Sequence, residues 1–144
     1  MACTSLDLPP VEPIARETIA SQGLSDRVKT GVIDFFSDEF PKADVITMGM
    51  ILHDWDLKDK KMLIKKAYDA LPKGGAFIAI EALIHDERKR NIFGLSMSLN
   101  MLIEFGVGFD YTGADFESWV KEAGFKRVEI LPLAGPSSAA IAIK

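Results

Sequence analysis

The sequence predicts an α/β domain, an open sheet with helices on both faces. Three observations predict it. Segments of strand and helix character alternate along the chain. Two strands, residues 44–52 (DVITMGMIL) and 76–80 (AFIAI), are continuous apolar runs of the kind a parallel sheet buries on both faces. A polar or charged residue stands at the end of each of the first four strands. Such alternation implies right-handed crossovers, and open sheets of this type bind ligands beyond the carboxyl ends of their strands.

The elements follow in order. Residues 2–8 form a short strand ended by Pro9-Pro10, since proline donates nothing to a ladder. Residues 11–22 place Val11, Ile14, Ala15, Ile19 and Ala20 near helical spacing, and Gly23 ends the helix. Residues 28–33 are a second strand, and residues 35–42, with Pro41 and several charges, a loop. The run 44–52 is the third strand. Asp56 caps a helix over 57–71, whose face carries Met62, Leu63, Ile64, Ala67, Tyr68 and Leu71. Pro72-Lys73-Gly74-Gly75 turns into the strand 76–80. Residues 91–105 are a helix rich in Met and Leu. Residues 112–123 are a helix with Thr112 as cap and Asp115 at the capping-box position, ended by Gly124. Residues 126–131 and 138–143 close the sheet as an antiparallel pair. No repeat or linker interrupts this order, so residues 1–144 read as one domain.

The 144 residues are 48% apolar, enough for a core without cross-links. The net charge of −4 lacks the basic footprint of a nucleic-acid binder, and the short cluster Glu87-Arg88-Lys89-Arg90 reads as a solvated turn or helix start. One cysteine, Cys3, excludes an intrachain disulfide and suits a reducing compartment. No apolar run reaches membrane-span length, and no signal peptide is evident, so the expected location is the cytoplasm.

Four strand-end residues carry the chemical signal: Asp7, Asp34, His53 and Glu81. An acid in this position often holds ribose hydroxyls; Asp7 is placed for that, or for a turn. Asp34 and Phe35 suit an adenine, with ordinary core as the alternative for the Phe35 ring. His53, with an ordinary pKa of about 6.5, is competent as a general base, oriented by a carboxylate such as Glu81, or is a satisfied structural histidine. A metal site of His53, Asp54 and Asp56 is disfavoured, because adjacent residues on an extended chain point apart. No G-x-S-x-G motif supports a serine hydrolase, and no G-x-G-x-x-G a dehydrogenase.

LDLPPV (6–11), DFF (34–36), ADVITMGMILHDWD (43–56), LPKGG (71–75), IAIEALI (78–84), GFDYTGADFESWVKEAGF (108–125) and GPSSAAIA (135–142) occur in that order. Together they resemble the catalytic domain of the S-adenosylmethionine-dependent small-molecule O-methyltransferases, the family of the caffeic acid, isoflavone and hydroxyindole enzymes and many bacterial relatives. The resemblance covers almost the whole chain. It implies a Rossmann-like methyltransferase sheet, S-adenosyl-L-methionine as methyl donor without a metal, and a small aromatic hydroxyl compound as acceptor. By the resemblance, Asp7 holds the cofactor ribose, Asp34 and Phe35 contact the adenine, and Trp55 matches an aromatic near the cofactor in some members. His53 matches the catalytic base, flanked by Glu81 and Asp110. Gly49 stands where plant relatives frequently carry a lysine, so any contact of that lysine is absent.

The resemblance also implies that the family's first strand, its glycine-rich loop and its N-terminal helical domain, all of which precede Asp7, are missing from this sequence. Unpaired edges and uncovered apolar surface are then expected to favour homo-oligomers. A catalytically inactive remnant acting as a binding or association module is the alternative to a methyltransferase. Leu95 to Ile103 with Met48 and Met50 can supply an adaptable apolar wall for a flat acceptor, with plain core as the alternative for each single Met.

Overall fold

The computed structural model describes residues 2–144. The chain forms two compact units, a smaller one ending at Glu39 and a larger one, Phe40–Lys144.

The smaller unit is a strand–helix–strand. Strand β1 (Cys3–Asp7) pairs in parallel with β2 (Val28–Val32), and α1 (Glu12–Ser21) connects them. The register sets Asp7 opposite Val32, so Asp7 and the following Asp34 lie at the same, carboxyl end of the pair. The apolar stripe expected of α1 is not a packed face. Ile14 is 63% exposed, and Glu12 is the buried residue of the helix. Arg16, one turn on, holds Glu12 with Nη2 at 2.7 and 2.8 Å from its two carboxylate oxygens, and Thr30 donates to it from β2.

The larger unit holds β3 (Val45–Gly49), a 3-10 turn (Leu52–Asp54), α2 (Leu57–Ala70), β4 (Ala76–Glu81), α3 (Ile92–Phe105), α4 (Gly113–Ala123), β5 (Arg127–Pro132) and β6 (Ser138–Ile143). Its sheet has the order β3-β4-β6-β5. Strand β3 runs parallel to β4, and β6 is antiparallel to both β4 and β5, as expected of the closing pair. Among the described residues the sheet hydrogen bonding is therefore divided into a parallel pair and a mixed set of four.

Two expectations for the apolar runs need correction. Residues 44–52 are not one strand buried on both faces. Strand β3 stops at Gly49, lies at the edge of its sheet and leaves Val45 51% exposed. Met50 then turns the chain away with a φ of 53°, in the left-handed region that a non-glycine residue seldom occupies. In β4 burial alternates: Phe77, Ala79 and Glu81 face the core while their neighbours are half-buried.

The core forms where this face of β4 meets α2 and α4. Phe77 lies 6.1 Å from the ring of Phe116 and 6.2 Å from that of Phe125. Leu63, Ile64 and Ala67 of α2 and Val120 of α4 are fully buried. Both helix starts are capped as their sequences specify. Asp56 Oδ1 accepts the Asp59 N–H at 2.8 Å, and Thr112 and Asp115 form a reciprocal capping box. Helix α3 behaves differently: Ile92, Leu99, Leu102, Ile103 and Phe105 are exposed, and Gly94 and Met101 are buried. No helix among the described residues is long and apolar enough to cross a membrane.

Candidate active site

Three of the residues singled out in the sequence come together in the larger unit. His53 is 4% exposed, Glu81 0% and Asp110 2%. His53 Nδ1 lies 3.4 Å from Asp110 Oδ1 and 3.7 Å from Glu81 Oε2.

Each arrives by a local rule. Glu81 is the last residue of β4, and the two-residue period of the strand places it on the face of Phe77 and Ala79. Its Oε1 accepts the N–H groups of Ile51 at 3.2 Å and Leu52 at 3.0 Å. These are the donors that the start of a short helical turn leaves unsatisfied. One oxygen of Glu81 thus caps the turn that carries His53, and the other faces the imidazole. Asp110 lies on the segment before α4. Ser98 Oγ of α3 accepts its backbone N–H at 3.1 Å, and the Ile84 N–H donates to the Tyr111 carbonyl at 2.9 Å. Gly108 permits the close approach of this segment: a Cβ there would meet the carbonyl oxygens of His53 and Asp54 at 2.8 Å.

The 3-10 turn overturns the expectation that His53 and Asp54 point apart. The chain is not extended at this point, and His53 Nε2 lies 3.2 Å from Asp54 Oδ1. The imidazole is therefore flanked by carboxylates on both nitrogens. Burial opposes its protonation, but the hydrogen bond to Asp110 and the charges of Glu81, Asp110 and Asp54 outweigh burial and raise the His53 pKa. Burial pushes the Glu81 carboxyl up to about 7, against the pull of His53 and of the Leu52 and Ile51 N–H groups. Burial also raises Asp54, opposed by His53 and Lys60. His53, Glu81 and Asp110 each offer one ligand atom within 4.8 Å of the others, close enough to share a metal ion.

Two further residues were not singled out in the sequence. Lys60 is fully buried, with Nζ 3.5 Å from the centroid of the Phe109 ring. The signal was present: Lys60 stands three, four and seven residues before Leu63, Ile64 and Ala67, on the buried stripe of α2. Tyr111 is 1% exposed, and its hydroxyl has no hydrogen-bond partner among the described residues. Burial raises its pKa well above the ordinary value.

The residues expected to bind cofactor fall in both units. Asp7 Oδ1 accepts the Leu8 N–H at 2.8 Å, and Asp34 Oδ1 accepts the Phe36 N–H at 3.0 Å. Phe35 packs against Phe36 with ring centroids 5.0 Å apart. Trp55, in the larger unit, lies 6.4 Å from the ring of Phe105. A groove of about 360 Å³ runs along α3, lined by Leu95, Ser98, Leu99, Leu102, Val107 and Phe109 among others. Met48 and Met50, expected in an apolar wall, do not line it.

Residues 1–126 match the family model described as the O-methyltransferase domain. The 3-hydroxy-5-methyl-1-naphthoate 3-O-methyltransferase of Streptomyces sahachiroi is 37% identical over 136 residues, covering 94% of this chain and 39% of the relative. The tetracenomycin polyketide synthesis 8-O-methyl transferase TcmO of Streptomyces glaucescens is 37% identical over 144 residues, covering 100% and 42%. The chain thus spans about two fifths of the length of these curated relatives. A solved structure of PigF with SAH superposes with a TM-score of 0.90 at 27% identity, over 100% of this chain and 44% of PigF. The model match over most of the chain and the agreement in fold lead to one conclusion: this chain belongs to the O-methyltransferase domain family.

Proposed function

We propose that this chain acts in transferring a methyl group from S-adenosyl-L-methionine to the hydroxyl of a small aromatic acceptor, with His53 as general base. The observation that carries the reading is the placement of a buried imidazole with Nδ1 against Asp110 and Glu81. Carboxylates on one nitrogen fix the tautomer and stabilise the imidazolium, leaving Nε2 to take a proton. The name of the S. sahachiroi relative, which specifies a hydroxynaphthoate, supports an aromatic acceptor.

The residues present fit the cofactor. Asp7 and Asp34 stand at the carboxyl end of a parallel strand pair, where acids hold ribose hydroxyls and exocyclic amines. When bound, the cofactor supplies an electrophilic methyl on a sulfonium that already carries the leaving group and the positive charge, so the proposed reaction requires no metal. A phenol with a pKa of about 10 is little ionised at neutral pH. His53 Nε2 takes its proton as the oxygen becomes nucleophilic. His53 Nε2 also lies 3.2 Å from Asp54 Oδ1, so an acceptor hydroxyl competes with that carboxylate for the nitrogen. Glu81 and Asp110 hold the ring during the transfer. Proton removal of this kind contributes roughly a hundredfold to ten-thousandfold.

A second reading, a binding or association module without catalysis, is favoured by the exposed apolar side chains of α3, of which Ile103 is 72% exposed.

The test is S-adenosylhomocysteine titration calorimetry together with labelled-methyl transfer to hydroxynaphthoates, for the chain and for His53→Gln. The expected result is at least about a hundredfold loss of transfer with cofactor affinity unchanged. Equal loss of both would make His53 structural. A folded chain that neither binds nor transfers, and that self-associates in light scattering, would favour the second reading.

A further inference from the structure

Lys60 is a buried cation that the chemistry above leaves unused. Packing alone does not call for it: Leu63, Ile64 and Ala67 complete the same stripe of α2 with apolar side chains. A buried ammonium is costly to desolvate unless its surroundings compensate it. Two contacts do so. Nζ donates to the carbonyl of Trp55, the residue that closes the turn carrying His53. Nζ also sits 3.5 Å from the Phe109 ring centroid and 6.0 Å from that of Tyr111, the two residues that flank Asp110. Cations favour such positions over aromatic faces. One ammonium therefore touches both chain segments that must be held in register for His53 to meet Asp110.

Charge points the same way. Asp54 and Asp56 near the start of α2, Glu81 on β4 and Asp110 before α4 all favour the protonated form of Lys60. None of them forms a direct ion pair with it among the described residues. Its charge thus acts across the cluster. Three carboxylates, Asp54, Glu81 and Asp110, surround one imidazole, and Lys60 is the second positive charge near them.

We propose that Lys60 is a positioning residue for His53: its buried ammonium ties the turn that carries His53 to the segment that carries Asp110 and sets the charge balance under which His53 gains and loses its proton. The consequence for catalysis rests on the reading of His53 as the base. The electrostatic coupling itself does not.

Burial pushes the Lys60 ammonium down to about 8, so its charge can be removed within a range that protein NMR reaches. In the unmodified chain, the Lys60 ¹³Cε resonance is followed against pH beside the His53 ring Cε1 proton. The expected result is a Lys60 midpoint near 8 with an inflection of the His53 signal at the same pH. Lys60→Met then keeps an unbranched stem and removes the charge. Losing a cation from an acidic cluster makes the imidazolium harder to deprotonate, so the His53 midpoint rises by about half a pH unit or more. The pH profile of methyl transfer moves with it. Lys60→Arg, which keeps the charge, returns the midpoint toward that of the unmodified chain.

A His53 signal that is featureless through the Lys60 titration overturns the proposal. So does a folded Lys60→Met variant whose His53 midpoint is unmoved. If that variant does not fold, the titration of the unmodified chain decides. Coupling without any loss of transfer in His53→Gln would leave Lys60 positioning His53 and overturn only the reading of His53 as base.

Discussion

Replacing Glu81 by glutamine separates the structural role of this residue from its charge. The Gln carbonyl can still accept the N–H groups of Ile51 and Leu52, so the cap on the turn survives. What is lost is the ionisable oxygen 3.7 Å from His53 Nδ1. The wild-type carboxyl is raised from 4.5 to about 7 by burial. The folded state therefore holds this proton more tightly than the unfolded chain does, and folding stability falls as pH rises from about 4.5 through about 7. Each pH unit corresponds to about 1.4 kcal/mol, which gives an upper bound of about 3 kcal/mol for the full window. His53 shares the titration with Glu81, so a loss of about 2 kcal/mol is the working value. His53 acts in the same direction. With its pKa raised in the fold, its contribution is complete below about 6.5 and is lost as pH rises through the folded value. Glu81→Gln has no carboxyl proton to lose and gives His53 one charge fewer. Its stability relative to wild type should improve by about 2 kcal/mol between pH 4.5 and pH 8, while the methyl transfer proposed above should fall. Urea unfolding of both proteins at the two pH values measures this difference. A difference that stays constant within about 0.5 kcal/mol would refute the claim that burial raises the Glu81 carboxyl toward neutrality.

Tyr111→Phe removes a buried hydroxyl that has no partner among the described residues while keeping the ring 6.0 Å from Lys60; it is expected to raise stability by about 1 kcal/mol in chemical denaturation, and a clear loss would show that the hydroxyl is satisfied. Gly108→Ala places a methyl 2.8 Å from the backbone carbonyls of His53 and Asp54. It should lower stability by roughly 2 kcal/mol and move the His53 ring resonances, and unchanged resonances would mean that the segment carrying Asp110 is not locked to the turn.

Much of this architecture is legible in the sequence because its signals are local. The starts of α2 and α4 follow from Asp56 and Thr112, whose side chains accept first-turn N–H groups of the helices that follow them, and from Asp115, which accepts the Thr112 N–H in return. Glu81 continues the alternation of Phe77 and Ala79, so its inward direction is already written in β4. The run 44–52 misleads for a non-local reason. Composition describes what a strand is able to bury, whereas the position of β3 at the edge of its sheet depends on which strands pair with it. Asp54 misleads because adjacent residues point apart only on an extended chain, whereas the 3-10 turn capped by Glu81 brings it onto His53 Nε2.

By itself the sequence determined the alternating elements, the helix caps and the residue types that stand at the strand ends, since each depends on neighbours a few positions away. Only the tertiary structure decided that His53, Glu81 and Asp110, the first and last 57 positions apart, share one buried cluster, and that Lys60 lies under Phe109 beside it. The physical reason is burial. A carboxylate or an ammonium has its ordinary chemistry in water, and its proton affinity departs from the ordinary value only where the fold removes water and fixes its partners.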